Sequence, residues 1–313
     1  MSGVRVVFWK ELADYFGSRR SLILFIIICI TGSSITYISA QTMGQNFAKI
    51  PVDFIFLKLF TSSAGALPSF IFFISFFGPL IGIILGFDAI NSEHARGTMS
   101  LVLSQPIFRD SLINGKFLAG LSTVAIMLIS IILVISGLGL SMLGIVPNLA
   151  EISRMGVFFI ASVIYIGFWL SLGILFSILF RRTASSALAS ITVWIFFTFF
   201  IYMVAGVIAD QLVPITHTTT LETITKNEHL KNMIMRISPA TLFEEIAGAV
   251  LNPSVRFFGV VSSTQIKGLI PNPLPLGQSL MVIWPQFVGL IALMLICFAI
   301  SYTVFMRQEI RAI

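Results

Sequence analysis

Asp88-Ala-Ile-Asn-Ser-Glu93-His-Ala-Arg96-Gly97-Thr98 opens a polar island that continues through Gln105-Pro106-Ile-Phe-Arg109 to Asn114-Gly115-Lys116, with long apolar runs on either side. The island is too polar to lie in lipid and too short to be a domain. A connector of this kind joins two membrane helices, and on the side where basic residues collect it is placed to receive force from another protein.

The rest of the chain agrees with that setting. Of its 313 residues 57% are hydrophobic and 10% charged, with a mean hydropathy of +1.01, whereas soluble domains carry about 25% charged residues. The composition is that of an integral membrane protein. The formal charge of +6 comes from basic residues scattered singly or in pairs, mostly at the ends of apolar runs. They form no stripe, which speaks against a nucleic-acid surface. Cys29 and Cys297 fall inside apolar stretches and read as small lipid- or helix-facing residues.

A membrane-spanning helix needs about 20 apolar residues, because lipid cannot satisfy an exposed backbone and a helix satisfies its own. Six segments qualify: 21–40, 67–87, 117–143, 155–180, 184–209 and 280–306. Basic residues set the orientation. Arg5, Lys10, Arg19 and Arg20, then Arg96, Arg109 and Lys116, then Arg181 and Arg182, then Arg307 and Arg311 fall on one side, in short connections. The reading is a multi-pass protein of the cell membrane with both termini cytoplasmic. Ile38-Ser39-Ala40 loosely resembles a signal cleavage site, but the region before it carries Glu11 and Asp14 and the apolar run is too long for a signal core.

Ahead of the first span, Val4, Val7, Phe8, Glu11, Leu12 and Tyr15 recur at helical spacing, and all but Glu11 are apolar. This predicts an interfacial helix over 4–19, with Trp9 in the headgroup zone, Gly17 as its stop and Arg19 and Arg20 snorkelling. Pro68, Gly78, Pro79, Gly82 and Gly86 crowd the second span, and Gly137 and Gly139 the third, which fits either a moving helix or static tight packing, the latter favoured. The fifth is aromatic on all faces, which suits lipid contact or an apolar substrate path, lipid contact being the simpler. The external stretch 210–279 predicts one helix with the pair Glu222 and Lys226, and a second capped by Ser238 with Pro239 at its first position. Phe243, Ile246, Ala247 and Val250 give that second helix an apolar face, and Pro271, Pro273 and Pro275 predict an extended tail. A gate over an exit path and a structural cap both fit this segment.

Self-contained chemistry is absent from the pattern. Asn114-Gly115-Lys116-Phe117 has the Gly-Lys of a phosphate loop, but Asp110 stands where its first glycine belongs and Phe117 where Ser or Thr would bind magnesium. Glu244-Glu245 is similar to the paired glutamates of intramembrane proteases, but Ala249 replaces the arginine of that motif. His94, His217 and His229 are scattered outside the spans and read as solvated. No acidic or basic residue sits near the middle of a span, which argues against an ion-coupled secondary transporter, the main alternative beside a membrane assembly factor. The sequence therefore predicts no catalytic residue, bound cofactor or metal, and an energy source outside the chain.

The run Asp88, Glu93, Gly97-Thr98, Leu101, Leu103-Ser104, Pro106, Arg109 and Gly115-Lys116 resembles the signature of ABC-2 type permeases, the membrane subunits of ATP-binding-cassette exporters. The resemblance covers nearly the whole chain as a single 1–313 transmembrane domain. It implies an all-α fold of six membrane helices, with an N-terminal elbow helix carrying Phe8, Trp9, Glu11 and Leu12. It also implies a cytoplasmic coupling helix within 88–116 and a helical external segment between spans five and six. In the coupling segment Asp88, Glu93, Arg96, Gly97, Thr98, Leu101, Leu103, Ser104, Pro106 and Arg109 would dock on a separate ATPase subunit, which binds ATP and Mg. A second permease copy and membrane lipid complete the implied partners.

Overall fold

The computed structural model describes residues 3–45, 54–63, 68–95, 97, 108–214, 221–253 and 274–308. Structure is 88% helical, without strands among the described residues. The N-terminal helix α1 (Gly3–Gly17) leads into α2 (Arg19–Gln45), and a short α3 (Ile55–Thr61) precedes α4 (Phe70–Gly86). A turn joins α4 to α5 (Asn91–Ala95), followed by the long α6 (Arg109–Leu143) and α7 (Leu149–Leu179). Then come α8 (Thr183–Ile195), a π-wound turn over Phe196–Phe200, and α9 (Ile201–Leu212). The pair α10 (Leu221–Met235) and α11 (Pro239–Leu251) precedes the last helix, α12 (Leu276–Arg307). Six helical segments, 19–44, 70–93, 109–143, 149–179, 183–212 and 276–307, are long and apolar enough to cross a membrane.

All six expected spans are present, and most differ in extent. Span three starts at Arg109, eight residues before Phe117, because Asp110, Asn114 and Lys116 prolong the helix beyond its apolar part. Span four starts at Leu149 in place of Met155. There Asn148 accepts from the Glu151 amide at 2.8 Å while the Glu151 carboxylate accepts from the Asn148 amide at 2.9 Å, a reciprocal cap written in the sequence as Asn-x-x-Glu.

Two packing features set the core. Gly78, Gly82 and Gly86 recur every four residues on α4 and lie against α7, where a Cβ on Gly82 would meet the Ile166 carbonyl at 2.5 Å. Glycine here is tight helix packing, of the two readings the spacing allowed. At the end of the bundle opposite the termini, α3 buries Phe56, Leu57, Leu59 and Phe60 completely, and Gly139 of α6 leaves room for Leu59 and Phe56. The sequence reading left α3 out, although Ile55-Phe-Leu-Lys-Leu-Phe60 is an apolar run of one helical length.

Span four anchors that opposite end with two charged side chains. Glu151 accepts from the Phe56 amide of α3 at 3.0 Å. Arg154, 1% exposed, donates to the Val250 carbonyl at the end of α11 (2.8 Å), to Ser279 Oγ (3.3 Å) and to the Leu274 carbonyl, with its guanidinium over the Phe54 ring at 5.4 Å. One cation thus fastens α11, the head of α12 and the residue that opens α3 with a left-handed φ of 58°. Arg154→Ala leaves two carbonyls without a buried donor and should cost about 3 kcal/mol. A lowered thermal midpoint with earlier protease cleavage around α11 would register it, and Lys should rescue poorly because it cannot fork between carbonyls.

Helix α11 has the expected face. Phe243, Ile246, Ala247 and Val250 are fully buried against α4, α7 and α12, and the Phe243 ring stacks on Tyr165 at 4.6 Å. Ser238 occupies the N-cap, but its hydroxyl donates to the Phe197 carbonyl at 3.2 Å instead of capping, since the π turn offers that acceptor. Glu222 and Lys226 pair at 2.7 Å on the open surface of α10, a contact of little energetic weight. Pro271 and Pro273 lie outside the described residues, and Pro275 is extended at the entry to α12.

Candidate functional site

Charged and polar side chains gather at the end of the bundle that holds both termini. Their scaffold is α1, whose residues Val4, Val7, Phe8, Glu11, Leu12 and Tyr15 are buried or partly buried while Arg5, Val6, Trp9, Lys10 and Phe16 face outward. The apolar face read from the sequence therefore lies on protein, chiefly α6, and the outward face is the one free for an interface. Gly115 makes this docking possible, because a Cβ there would meet Val7 Cγ1 at 2.6 Å and the Phe8 amide at 3.3 Å. The Gly-Lys pair that fails as a phosphate loop serves this contact. Glycine admits α1, and the lysine beside it binds α1.

Lys116 is 3% exposed. Its ammonium donates to Glu11 of α1 at 2.8 Å and to Glu93 of α5 at 3.0 Å. Lys10 reaches Glu11 at 3.0 Å, Asp14 at 3.4 Å and Glu93 at 3.9 Å from a half-exposed position. Burial pushes the Glu11 carboxyl up, but the Lys116 and Lys10 charges outweigh it and hold the group below the usual glutamate range. Burial opposes the charge on Lys10 as well, and the surrounding carboxylates prevail, raising its ammonium. Three elements from separate parts of the chain thus share one buried ionic node.

Around it the polar island is sewn down. Asp88 accepts from Arg20 at 2.6 Å, and Tyr15 donates to the Leu85 carbonyl at 2.9 Å. Ser177 of α7 accepts from the amides of Ile90 (2.8 Å) and Asn91 (3.1 Å), and the Asn91 amide group donates to the Phe87 and Phe180 carbonyls. Ser186, at the start of span five, donates to the Phe87 carbonyl at 2.8 Å. Arg109 donates to the Gln308 carbonyl at 3.1 Å, and Gln308 in turn to that of Ile178 at 2.9 Å. Gly97 follows α5 with φ +68°, a backbone that side-chain-bearing residues rarely adopt.

Of the residues singled out in the sequence, Asp88, Glu93, Arg109, Phe8, Glu11 and Leu12 come together here. Trp9 lies on the outer side of the same helix, 58% exposed. Arg96, Thr98, Leu101, Leu103, Ser104 and Pro106 lie outside the described residues. Tyr15, Asn91 and Ser177 were missed as site residues. Asn91 stood inside the island and Tyr15 on the marked face, so two of the three had a signal.

A family model described as ABC-2 family transporter protein matches residues 5–310, nearly the entire chain. The chain belongs to the ABC-2 transporter family. Among curated proteins the chain is similar to a probable ABC transporter permease protein NosY of Pseudomonas aeruginosa, 28% identical over 193 residues, covering 60% of this chain and 64% of that one. A second protein of the same description, from Stutzerimonas stutzeri, is 30% identical over 109 residues, covering 34% of this chain and 35% of its own. The chain thus matches less than two thirds of the length of either relative.

Proposed function

We propose that this permease is the membrane subunit of an ATP-binding-cassette exporter, in which a separate ATPase docks on the polar island and drives movement of a substrate across the membrane. The observation that carries this reading is the Lys116 node, which ties α1, α5 and span three at the end holding both termini. A push on α5 reaches span three and α1 through buried charges that tolerate little displacement, because separating them in an apolar setting is costly. Glu93 turns its carboxylate inward, so its part in docking is to hold α5 in place for the surface that follows it. The end bearing the node is cytoplasmic in this reading, in keeping with the basic residues that flank it.

The outward face of α1, with Val6, Trp9 and Phe16 between Arg5 and Lys10, suits the headgroup layer. Two copies of the permease would flank a central path, and ATP and Mg would be bound by the partner. The chain's own residues perform no hydrolysis in this account. They supply differential contact with the two states of the ATPase, without which no ligand-driven shift occurs.

Gly97→Val tests the docking. Among the described residues a Cβ at Gly97 meets nothing within 4 Å, and its left-handed backbone is one that a valine would strain. The variant, like Glu93→Ala, should remain in the membrane while losing co-purification with the ATPase or stimulation of its turnover. Retained, transport-competent association in both would overturn the proposal.

A further inference from the structure

Glu244 and Glu245 are neighbours on α11 with opposite circumstances. Glu245 is held by Arg236 Nε, 3.0 Å from each carboxylate oxygen, and by Gln286 Nε2 at 2.8 Å. Glu244 accepts from Ser75 Oγ of α4 at 2.6 Å, and among the described residues no cation pairs with it. Its side chain keeps an open surface. Apolar neighbours nevertheless crowd the carboxyl and raise its proton affinity, against the Ser75 hydrogen bond.

The helix that receives Glu244 carries an aromatic surface beside that contact. Phe72, one turn before Ser75 and 50% exposed, stacks on Phe76 with ring centres 6.1 Å apart. Phe76 meets Trp194 edge-on at 5.2 Å and Phe199 at 6.2 Å, both from span five. Trp194 is buried with its indole N–H unpartnered, while Phe199 is exposed. The π turn spans Phe196–Phe200, and Ser238 at the head of α11 bonds to it. An acidic external helix and two aromatic spans therefore meet on one open face.

Lipid tails would satisfy the rings but leave an unpaired carboxylate facing hydrocarbon, which is unfavourable. A hydrophobic cation satisfies both, since ring faces attract positive charge and the carboxylate neutralises it. We propose that this face binds a lipophilic cation, an amine or onium with bulky apolar substituents, with Glu244 supplying the charge and Phe72, Phe76 and Phe199 the surface, backed by the buried Trp194. As a substrate class this rests on the permease reading, but binding to the isolated chain requires no ATPase.

The test titrates the full chain, purified in zwitterionic nanodiscs, with tetraphenylphosphonium and with tetraphenylborate, ions of matching shape and opposite charge. The phosphonium should bind at least about ten-fold tighter than the borate, and Glu244→Gln should remove about ten-fold of the cation affinity while sparing the anion. Glu244→Asp should restore part of it, and Phe76→Ala should weaken it. Equal affinity for the two ions in the native chain overturns the proposal without any variant, as does cation binding indifferent to Glu244→Gln. Binding of neither ion also overturns it and assigns the face to lipid or to a second copy. Failure here leaves ATPase association intact, whereas failure of the permease reading leaves ion binding intact.

Discussion

Lys116→Met releases α1 from the bundle. The native ammonium sits 2.8 Å from Glu11 and 3.0 Å from Glu93 with a side chain 4% exposed, so its removal takes the buried cation from both carboxylates and leaves the half-exposed Lys10 beside them. Breaking a buried ion pair from one side costs about 3–5 kcal/mol, and the cost is reduced only by movement of α1 and α5 into water. Amide exchange should therefore rise across α1 and α5 while α4 and α7 keep their protection. Acid should mimic the substitution. Because Glu11 is held below its usual range, its contribution is complete above the unfolded carboxyl range and is lost as pH falls through the lowered one. The native chain should accordingly loosen α1 at acidic pH, and Lys116→Met should show little of that pH dependence.

The largest expected loss of folding comes from Gly82→Val. A Cβ on Gly82 would stand 2.5 Å from the Ile166 carbonyl and 2.8 Å from the Leu170 amide, and one turn on, a Cβ on Gly86 would stand 2.6 Å from the Leu170 carbonyl and 3.1 Å from Gly173 Cα. The obstacles are backbone atoms inside a second helix, so no rotamer change relieves them. The two helices must part along their length, which costs more than the roughly 1–3 kcal/mol of ordinary overpacking. Gly137 makes the control, since a Cβ there meets nothing within 4 Å, and Gly137→Ala should be neutral or stabilising by up to about 1 kcal/mol. Size-exclusion profiles and thermal midpoints of the two variants in detergent should separate them clearly.

Several of these features were legible before the fold was known. The spans follow from hydropathy because lipid leaves the backbone no other solution, and the α1 face and the α11 face follow from period alone. Lys116 was not legible as a binding group. Between a glycine and a phenylalanine at the edge of an apolar run it has the look of a boundary lysine, and its partners lie 105 and 23 residues away in sequence. Only the packing of α1 on α6 brings them together. Glu151 and Arg154 were hidden for a similar reason, since both bind backbone groups of distant elements, although the Asn148-x-x-Glu151 cap was readable. Ser238 illustrates the converse, a correct helix start whose side chain was drawn away by a carbonyl that the π turn presents.

The claim that the buried node carries force from a partner is tested most directly by ATP hydrolysis in proteoliposomes holding the permease with its ATPase. Native chain should stimulate hydrolysis above that of the ATPase alone, Lys116→Met should abolish the stimulation, and Lys116→Arg should restore part of it. Native-level stimulation by Lys116→Met, with α1 shown by amide exchange to be released, would contradict the account.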